Sequence, residues 1–431
     1  MKVSHIEVNN FKTFDDISVD LNDFNVFIGA CASGKSHFVE ILQFLKDFSI
    51  YYEDGISQHR DKHLLNYNHW NDSEPCYLNV IFKNSKDNKN ILPISDSKLG
   101  FKANEYLLIK FKELQYEVSF YPGEFGFCTF LYENVEFSCD FYKLNQNDDL
   151  EKNLDNLHKI QENKLYLKNT DGKISAKLEK ENILNVNDLI PKYILNNVQE
   201  EFEYNNVPII NSKLSSLPIG WNQFFKDIKY YDFNPKFTKF GLLDNNENYL
   251  SEFGGNLSKI LSKIVNDEDK KRKFINLLNY LLPYIKKVNI GKGNSGKDIF
   301  KIEENYHDIA IPSYLVSDGT SNIIALIVAL YFENSNIILI EEPERNIHPE
   351  LLSKLVQMMR EVSYKKQIII TTHSPEMLKY IELSDIYFIS RDDNGFSTIS
   401  KPEDNEIIKP FIEELGIDEV FIDNYLGLGN D

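Results

Sequence analysis

A chain of 431 residues, 42% of them hydrophobic, is long enough to bury one large core or two moderate ones without a metal or disulfide staple. Its formal net charge of −19 opposes indiscriminate binding of nucleic acid over the whole surface and leaves room only for a local basic patch. No uninterrupted apolar stretch approaches the ~20 residues that cross a bilayer. Residues 1–10 alternate apolar and polar instead of pairing a basic start with an apolar run, so no secretory signal is expected and the chain is expected to be cytoplasmic. The cysteines Cys31, Cys76, Cys128 and Cys139 show no C-x-x-C spacing, which points to free thiols, not to a zinc ribbon or redox motif.

In chain order, residues 3–8 and 17–21 alternate as strands around a break at 9–14, and the run Asn25, Val26, Phe27, Ile28 reads as a buried strand feeding a glycine loop. Phe38, Val39, Ile41, Leu42 and Leu45 recur at helical spacing, so the loop opens a helix over 36–48. Residues 75–145 hold aromatic-rich alternating runs and predict an antiparallel sheet. Residues 146–215 turn to Asn, Lys, Glu and Asp and predict helices over 150–164 and 184–204 with no sustained heptad, an insertion or lid and not a long coiled coil. A short strand is expected over 228–233, helices over 256–265 and 269–282, and two or three strands over 288–311. From residue 317 the order is helix, strand, helix, strand, helix, strand, as in a parallel sheet with flanking helices. The two ends of the chain thus read as halves of one α/β domain. The expected division is 1–75, the N-terminal half of that domain; 76–145, a β-rich subdomain; 146–255, a helical insertion; and 256–431, the C-terminal half.

Gly29, Ala30, Cys31, Ala32, Ser33, Gly34, Lys35 and Ser36 satisfy G-x-x-x-x-G-K-[ST] between an apolar strand and an amphipathic helix, the context a phosphate loop requires. The glycines let backbone N–H groups wrap phosphates, the helix start adds positive potential, Lys35 reaches the β/γ oxygens and the Ser36 hydroxyl binds Mg²⁺. ATP and Mg²⁺ are therefore the expected ligands. Gly291, Gly296 and Lys297 satisfy the same spacing, but Asp298 stands where the hydroxyl belongs and strand-like residues follow, so this second match is read as a hairpin turn.

Four apolar residues, 337–340, deliver Glu341 and Glu342 at a strand end. One acid is assigned to Mg²⁺ (Glu341) and the next to the attacking water (Glu342), since successive strand residues face opposite ways. A second apolar strand ends in Thr371, Thr372, His373, Ser374, Pro375, where a histidine can sense the γ-phosphate. The structural alternatives are a charged turn after a core strand and a histidine that merely packs; the order of motifs along the chain favours function. Ser317, Asp318, Gly319, Thr320 and Ser321 open an apolar helix as a small, hydroxyl-rich start suited to an anion. Nothing within one chain calls for a second phosphate-binding start; the nucleotide of a partner does.

Together these residues resemble the ABC-type ATPases, in the RecF/SMC/OLD-like branch that includes stand-alone ATPases of bacterial anti-phage defence. The resemblance covers residues 1–50 and 305–400 well and the middle loosely. It implies an α/β P-loop NTPase fold with a mixed sheet flanked by helices, an antiparallel β subdomain and a helical insertion. It implies that Ser317 to Thr320 act as a signature across a homodimer of ATPase heads or a higher oligomer, that His373 is the switch histidine, that 345–348 is the dimer-contact loop, and that Lys12 and Phe14 line the nucleotide. Glu341 stands where transporters carry Asp, and no glutamine is placed for the loop that usually follows the first helix. Both departures bear on hydrolysis more than on binding.

Transporter subunits couple to membranes and carry a different signature; long-armed DNA-organising members need heptads that the middle lacks. Only 58 residues follow His373, too few for the metal-dependent nuclease domain of the OLD enzymes. The expected function is an ATP-hydrolysing sensor that controls a separate nuclease effector, as in PARIS- or Septu-like systems, triggered by phage protein or DNA. The alternatives are a RecF-like DNA-binding clamp in repair and a nucleotide-regulated scaffold with negligible turnover.

Overall fold

The computed structural model describes residues 1–50, 74–84, 89–92, 105–122, 128–145, 158–170, 172–181, 184–190, 195–200, 209, 222–240, 248–293, 296 and 298–422. The chain divides into two compact units, one comprising residues 1–21 and 40–227, the other 22–39 and 228–431.

The first unit is built on an antiparallel sheet of β1 (Lys2–Phe11), β2 (Phe14–Asp20), β4 (Cys76–Lys83), β5 (Lys89–Leu92), β6 (Glu105–Pro122), β7 (Cys128–Asn145), β8 (His158–Thr170) and β9 (Lys173–Leu178), with β3 (Phe24–Ile28) belonging to the other unit. Its order is β2-β1-β4-β6-β7-β8-β9, with β5 beside β6. Alternation sets the faces: Leu114, Tyr116, Val118 and Phe120 of β6 are buried, and the intervening Gln115 and Glu117 hydrogen-bond each other on the opposite face. Helix α1 (Lys35–Ile50) enters this unit at Glu40, where Phe44 packs its ring on Phe11 and Phe120.

The helix expected over 150–164 is corrected: residues 158–164 belong to β8, while 150–157 fall outside the described residues. Leu165 and Leu167 are buried between half-buried or exposed Lys164, Tyr166 and Lys168, a period of two that a polar composition hides. Pairing with β7, from Tyr132 opposite Thr170 to Lys143 opposite His158, decides the conformation. In the second expected stretch, α2 (Val186–Leu189) and residues 195–200 are helical, and 201–204 fall outside the described residues. A short α3 (Asn222–Lys226) closes this unit, its Phe225 ring edge-on to Phe82 and Tyr116.

The second unit carries a six-stranded sheet in the order β10-β14-β15-β3-β16-β17, from β3 (Phe24–Ile28), β10 (Ile228–Tyr231), β14 (Ile337–Glu341), β15 (Gln367–Thr372), β16 (Ile386–Arg391) and β17 (Ser397–Ser400). Every pair is parallel except β16 with β17. β3, all five residues buried, inserts between β15 and β16, so the N-terminal segment completes a sheet otherwise drawn from the C-terminal half. A parallel strand buried on both faces is mostly apolar, which is why 26–28 and 337–340 read as unbroken runs, with Asn25 buried beside them.

The helices of this unit are α4 (Pro235–Phe240), α5 (Leu257–Val265), α6 (Glu268–Leu281), α7 (Asp318–Tyr331), α8 (Leu352–Ser363) and α9 (Pro375–Leu378), with α10 (Lys409–Leu415) and α11 (Ile417–Ile422) towards the C-terminus. Residues 320–330 of α7 are all buried, and from Ile323 to Leu330 the helix is apolar all round at the centre of the core. β11 (Ile285–Lys292), β12 (Asp298–Glu304) and β13 (His307–Pro312) form a separate antiparallel sheet. The second glycine-lysine match lies in the β11–β12 hairpin, where Lys292 pairs with Asp298, as its sequence context implies.

Candidate functional site

The parallel register brings three strand ends to one edge: Glu341 lies opposite Thr371, and Thr372 opposite Ile28. Loops leaving the carboxyl ends of adjacent parallel strands are where α/β sheets place ligands. Here they hold the glycine loop, the acidic pair and His373.

The loop from Gly29 to Ser36 turns sharply. Ala32 (φ 61°) and Gly34 (φ 114°) occupy the left-handed region, and a Cβ on Gly29 would lie 2.1 Å from the Ile389 carbonyl oxygen. Lys35 Nζ donates to the Gly29 and Ala30 carbonyls at 2.7 Å each. Burial pushes the Lys35 ammonium pKa down, opposed by Cys31, Glu342, Glu341 and Glu344 nearby. Ala30, Cys31, Ala32 and Ser36 are exposed, while Ser33 is buried with an Oγ that has no hydrogen-bond partner among the described residues.

Two residues without any motif signal brace this loop from behind. Arg391 of β16 donates through Nε and Nη2 to the Ala32 carbonyl (2.9 and 2.8 Å), and Ser397 of β17 donates to the Ser33 carbonyl at 2.6 Å. Both lie more than 350 residues along the chain from the loop, so no local pattern could reveal them.

Glu341 ends β14 with its Oε2 3.2 Å from the Ser36 hydroxyl, and the Tyr230 hydroxyl also bonds it. Burial first, and Glu341 second, drive the Tyr230 pKa upward. Glu342 follows in the left-handed region (φ 45°) and points elsewhere: Oε1 lies 2.8 Å from His373 Nδ1, and Oε2 accepts from Arg345 Nε and Nη2 at 3.1 and 2.9 Å. Arg345 also donates through Nη1 to Asp232 at 2.8 Å. Its side chain therefore turns inward onto the acid, whereas the resemblance placed 345–348 only as a contact loop.

Glu344 accepts from Thr372 Oγ1 at 2.5 Å, and that hydroxyl in turn accepts from the Ser374 amide at 3.0 Å. The turn after the acids is thereby tied to the turn that carries His373. Burial raises the Glu344 pKa.

Ser317 caps α7, its Oγ accepting the Thr320 N–H at 3.1 Å. Ser317 and Asp318 are exposed, Thr320 is buried, and Lys239 of α4 forms an ion pair with Asp318. Gly319 fits beneath the Asn346 carbonyl, which a Cβ would meet at 2.3 Å.

Lys12 and Phe14 do not fit their expected place. Phe14 is fully buried in the first unit, and Lys12, 2% exposed, is paired with Glu40. Burial lowers the Lys12 pKa even against Glu40. Neither side chain is open to a ligand, because the turn between β1 and β2 packs them inward.

The family profile described as AAA ATPase domain matches residues 1–378, a span that takes in the glycine loop, Ser317 to Thr320, the acidic pair and His373. The chain belongs to the AAA ATPase domain family. An uncharacterized protein of Methanocaldococcus jannaschii is 26% identical to this chain over 152 residues, a match covering 31% of this chain and 39% of that protein. The chain thus spans well under half the length of the curated relative it matches. Among solved structures, an Smc head bound to the C-terminal winged-helix domain of ScpA aligns at 12% identity over 93% of this chain and 98% of that one, with a TM-score of 0.47. An Smc head with an extended coiled coil, bound to the C-terminal domain of ScpA from Pyrococcus furiosus, aligns at 12% identity over 96% and 99%, with a TM-score of 0.45.

A magnesium nucleotide fits the residues this ATPase domain presents. Mg²⁺ keeps most of its waters and takes one or two protein oxygens beside phosphate oxygens; the Ser36 hydroxyl and Glu341 carboxylate face each other at 3.2 Å. The partnerless Ser33 hydroxyl and the left-handed loop offer donors to phosphate. No cluster of three or more His, Cys, Asp or Glu that could hold a metal alone occurs among the described residues.

Proposed function

We propose that this chain binds ATP with Mg²⁺ and hydrolyses it at a site completed by Ser317 to Thr320 of a second copy. The observation that carries the reading is the divergence of the acidic pair: Glu341 faces the loop hydroxyl of Ser36, while Glu342 faces His373. Mg²⁺, held by the Ser36 hydroxyl and Glu341, would supply charge neutralisation of the phosphates. Loop amides and Lys35 would hold the phosphates. Nucleotide would draw Lys35 away from the Gly29 and Ala30 carbonyls, which stand in for phosphate oxygens as its acceptors. Glu342 would orient the attacking water, and His373 would exchange its contact with Glu342 for one with the γ-phosphate, freeing a carboxylate oxygen.

The capped, exposed start of α7 supports the second half of the reading: it is suited to an anion, and Ser317 and Asp318 remain at the surface. The biological role that fits is a sensor in anti-phage defence, whose nucleotide-driven association holds or releases a separate nuclease. That role rests on the resemblance of the motif set to defence-type ATPases.

The test is the solution mass of a Glu342→Gln variant with and without Mg-ATP, repeated with extract of the native host. Doubling with ATP and a co-purifying nuclease is the expected result. Doubling only when DNA is added favours a repair clamp, and no change in mass removes the cross-dimer site.

A further inference from the structure

We propose that Asp232 is a positioning residue for hydrolysis, fixing the Glu342 carboxylate through Arg345. The inference rests on the reading that Glu342 orients the attacking water. An Arg–carboxylate pair ordinarily closes as a fork, two N–H groups on two oxygens. Here Nε and Nη2 of Arg345 both fall on Glu342 Oε2, and the remaining arm, Nη1, is taken by Asp232 Oδ1 at 2.8 Å. Glu342 Oε1 is thereby left to His373.

The scaffold around the guanidinium is fixed on both sides. Arg345 donates its amide to the Glu342 carbonyl at 3.0 Å, and its own carbonyl accepts from Asn322 Nδ2 at 2.8 Å. Asp232 follows the last residue of β10, opposite Ile340, and its amide donates to the Glu252 carbonyl at 3.1 Å. With the backbone pinned at both ends, the plane of the guanidinium is set by which acceptors its nitrogens find. Removing the Asp232 acceptor lets the fork rotate onto both oxygens of Glu342, occupying the one a water needs.

Charge points the same way. Arg345 alone would neutralise the acid beside it, whereas the trio Asp232, Arg345 and Glu342 retains a net negative charge. The three side chains are 28%, 36% and 24% exposed, and ion pairs that water still reaches contribute little to stability. Stability alone therefore gives little reason for the arrangement.

The experiment compares Asp232→Ala, Asp232→Glu, Arg345→Met, the Asp232→Ala/Arg345→Met double variant and Glu342→Gln in steady-state Mg-ATP hydrolysis, nucleotide titration and thermal melting. Asp232→Ala, which removes the acceptor of Arg345 Nη1, is expected to lower kcat by about ten- to a hundredfold, with KM, nucleotide affinity and melting unchanged. Asp232→Glu should recover part of the loss, and the double variant should be no slower than Arg345→Met, as members of one unit are not additive. Turnover of Asp232→Ala within twofold of wild type, beside an inactive Glu342→Gln, overturns the proposal alone. A parallel loss of melting temperature and nucleotide affinity also overturns it, in favour of a structural role. A Glu342→Gln variant as active as wild type overturns the reading beneath it.

Discussion

Two loops of this chain satisfy the same glycine-lysine spacing, and the same substitution at the first glycine of each should separate them. At Gly29 an added methyl would sit 2.1 Å from the Ile389 carbonyl oxygen and 2.6 Å from Ser33 Oγ. An unstrained carbon–oxygen contact is near 3.3 Å, so one side has to move by about 1.2 Å. Ile389 cannot give way cheaply: it is fully buried and paired to Ile399 in the sheet. The glycine loop must shift instead, and with it the Gly29 and Ala30 carbonyls around Lys35. Overpacking of this kind costs about 1–3 kcal/mol, and 1.4 kcal/mol charged to the nucleotide-competent loop is about a tenfold loss of affinity. At Gly291 the atoms nearest the methyl belong to the Lys301 side chain, Cε at 2.8 Å and Nζ at 3.0 Å, which can swing aside. Gly291→Ala should therefore change stability by less than about 0.5 kcal/mol and leave affinity unaltered. Titration with a fluorescent ATP analogue, with melting curves alongside, reads both. A Gly29→Ala protein that binds within twofold of wild type, or a Gly291→Ala protein that loses binding, would refute the assignment of the phosphate loop.

Lys239→Met leaves the Asp318 carboxylate uncompensated at the start of α7; nucleotide affinity of the single chain should hold, while the ATP-dependent dimer of the Glu342→Gln protein should weaken by about tenfold in light-scattering titrations, roughly 1.4 kcal/mol. Glu133→Ala removes a fully buried carboxylate that accepts from the Tyr116 hydroxyl at 2.9 Å and the Ile209 amide at 2.6 Å. Two stranded donors at ~1–3 kcal/mol each predict a loss of about 2–6 kcal/mol in denaturant unfolding, with nucleotide binding kept under native conditions.

The parts of the site that were legible are those whose chemistry is local. Strand β3, its glycine loop and α1 occupy consecutive residues, and the acids follow directly on four apolar residues of β14, so one window carries both the fold signal and the chemical one. The β11–β12 hairpin was legible for the same reason. Strand β8 was not, because its two buried leucines are specified by pairing with β7 and sit in a run of polar residues that has no period of its own. Asp232 lies 113 residues from Arg345, and Arg391 lies 359 from Ala32. Such partners are chosen by sheet order, which no short pattern encodes. Lys12 and Phe14, set beside the nucleotide by the resemblance, serve the packing of the β1–β2 turn in this structure.

One turn joins what the proposed mechanism needs to keep in step. Residues 345 and 346 touch Glu342 on one side, through the Arg345 guanidinium, and the start of α7 on the other, through the bond from Asn322 to the Arg345 carbonyl and the seat of Gly319 beneath the Asn346 carbonyl. Asn346 holds a left-handed conformation (φ 63°), and Gly319 is the residue that lets its carbonyl approach. On the proposed reading Glu342 serves the nucleotide bound by its own chain, while Ser317 to Thr320 serve the nucleotide of the partner. A shift of this turn by a partner would then move the acid at one nucleotide and the helix start at the other together. Packed contacts of this kind have few alternative arrangements, so they transmit a displacement rather than absorb it. The two sites of a dimer would be coupled through a short stretch of backbone within each chain.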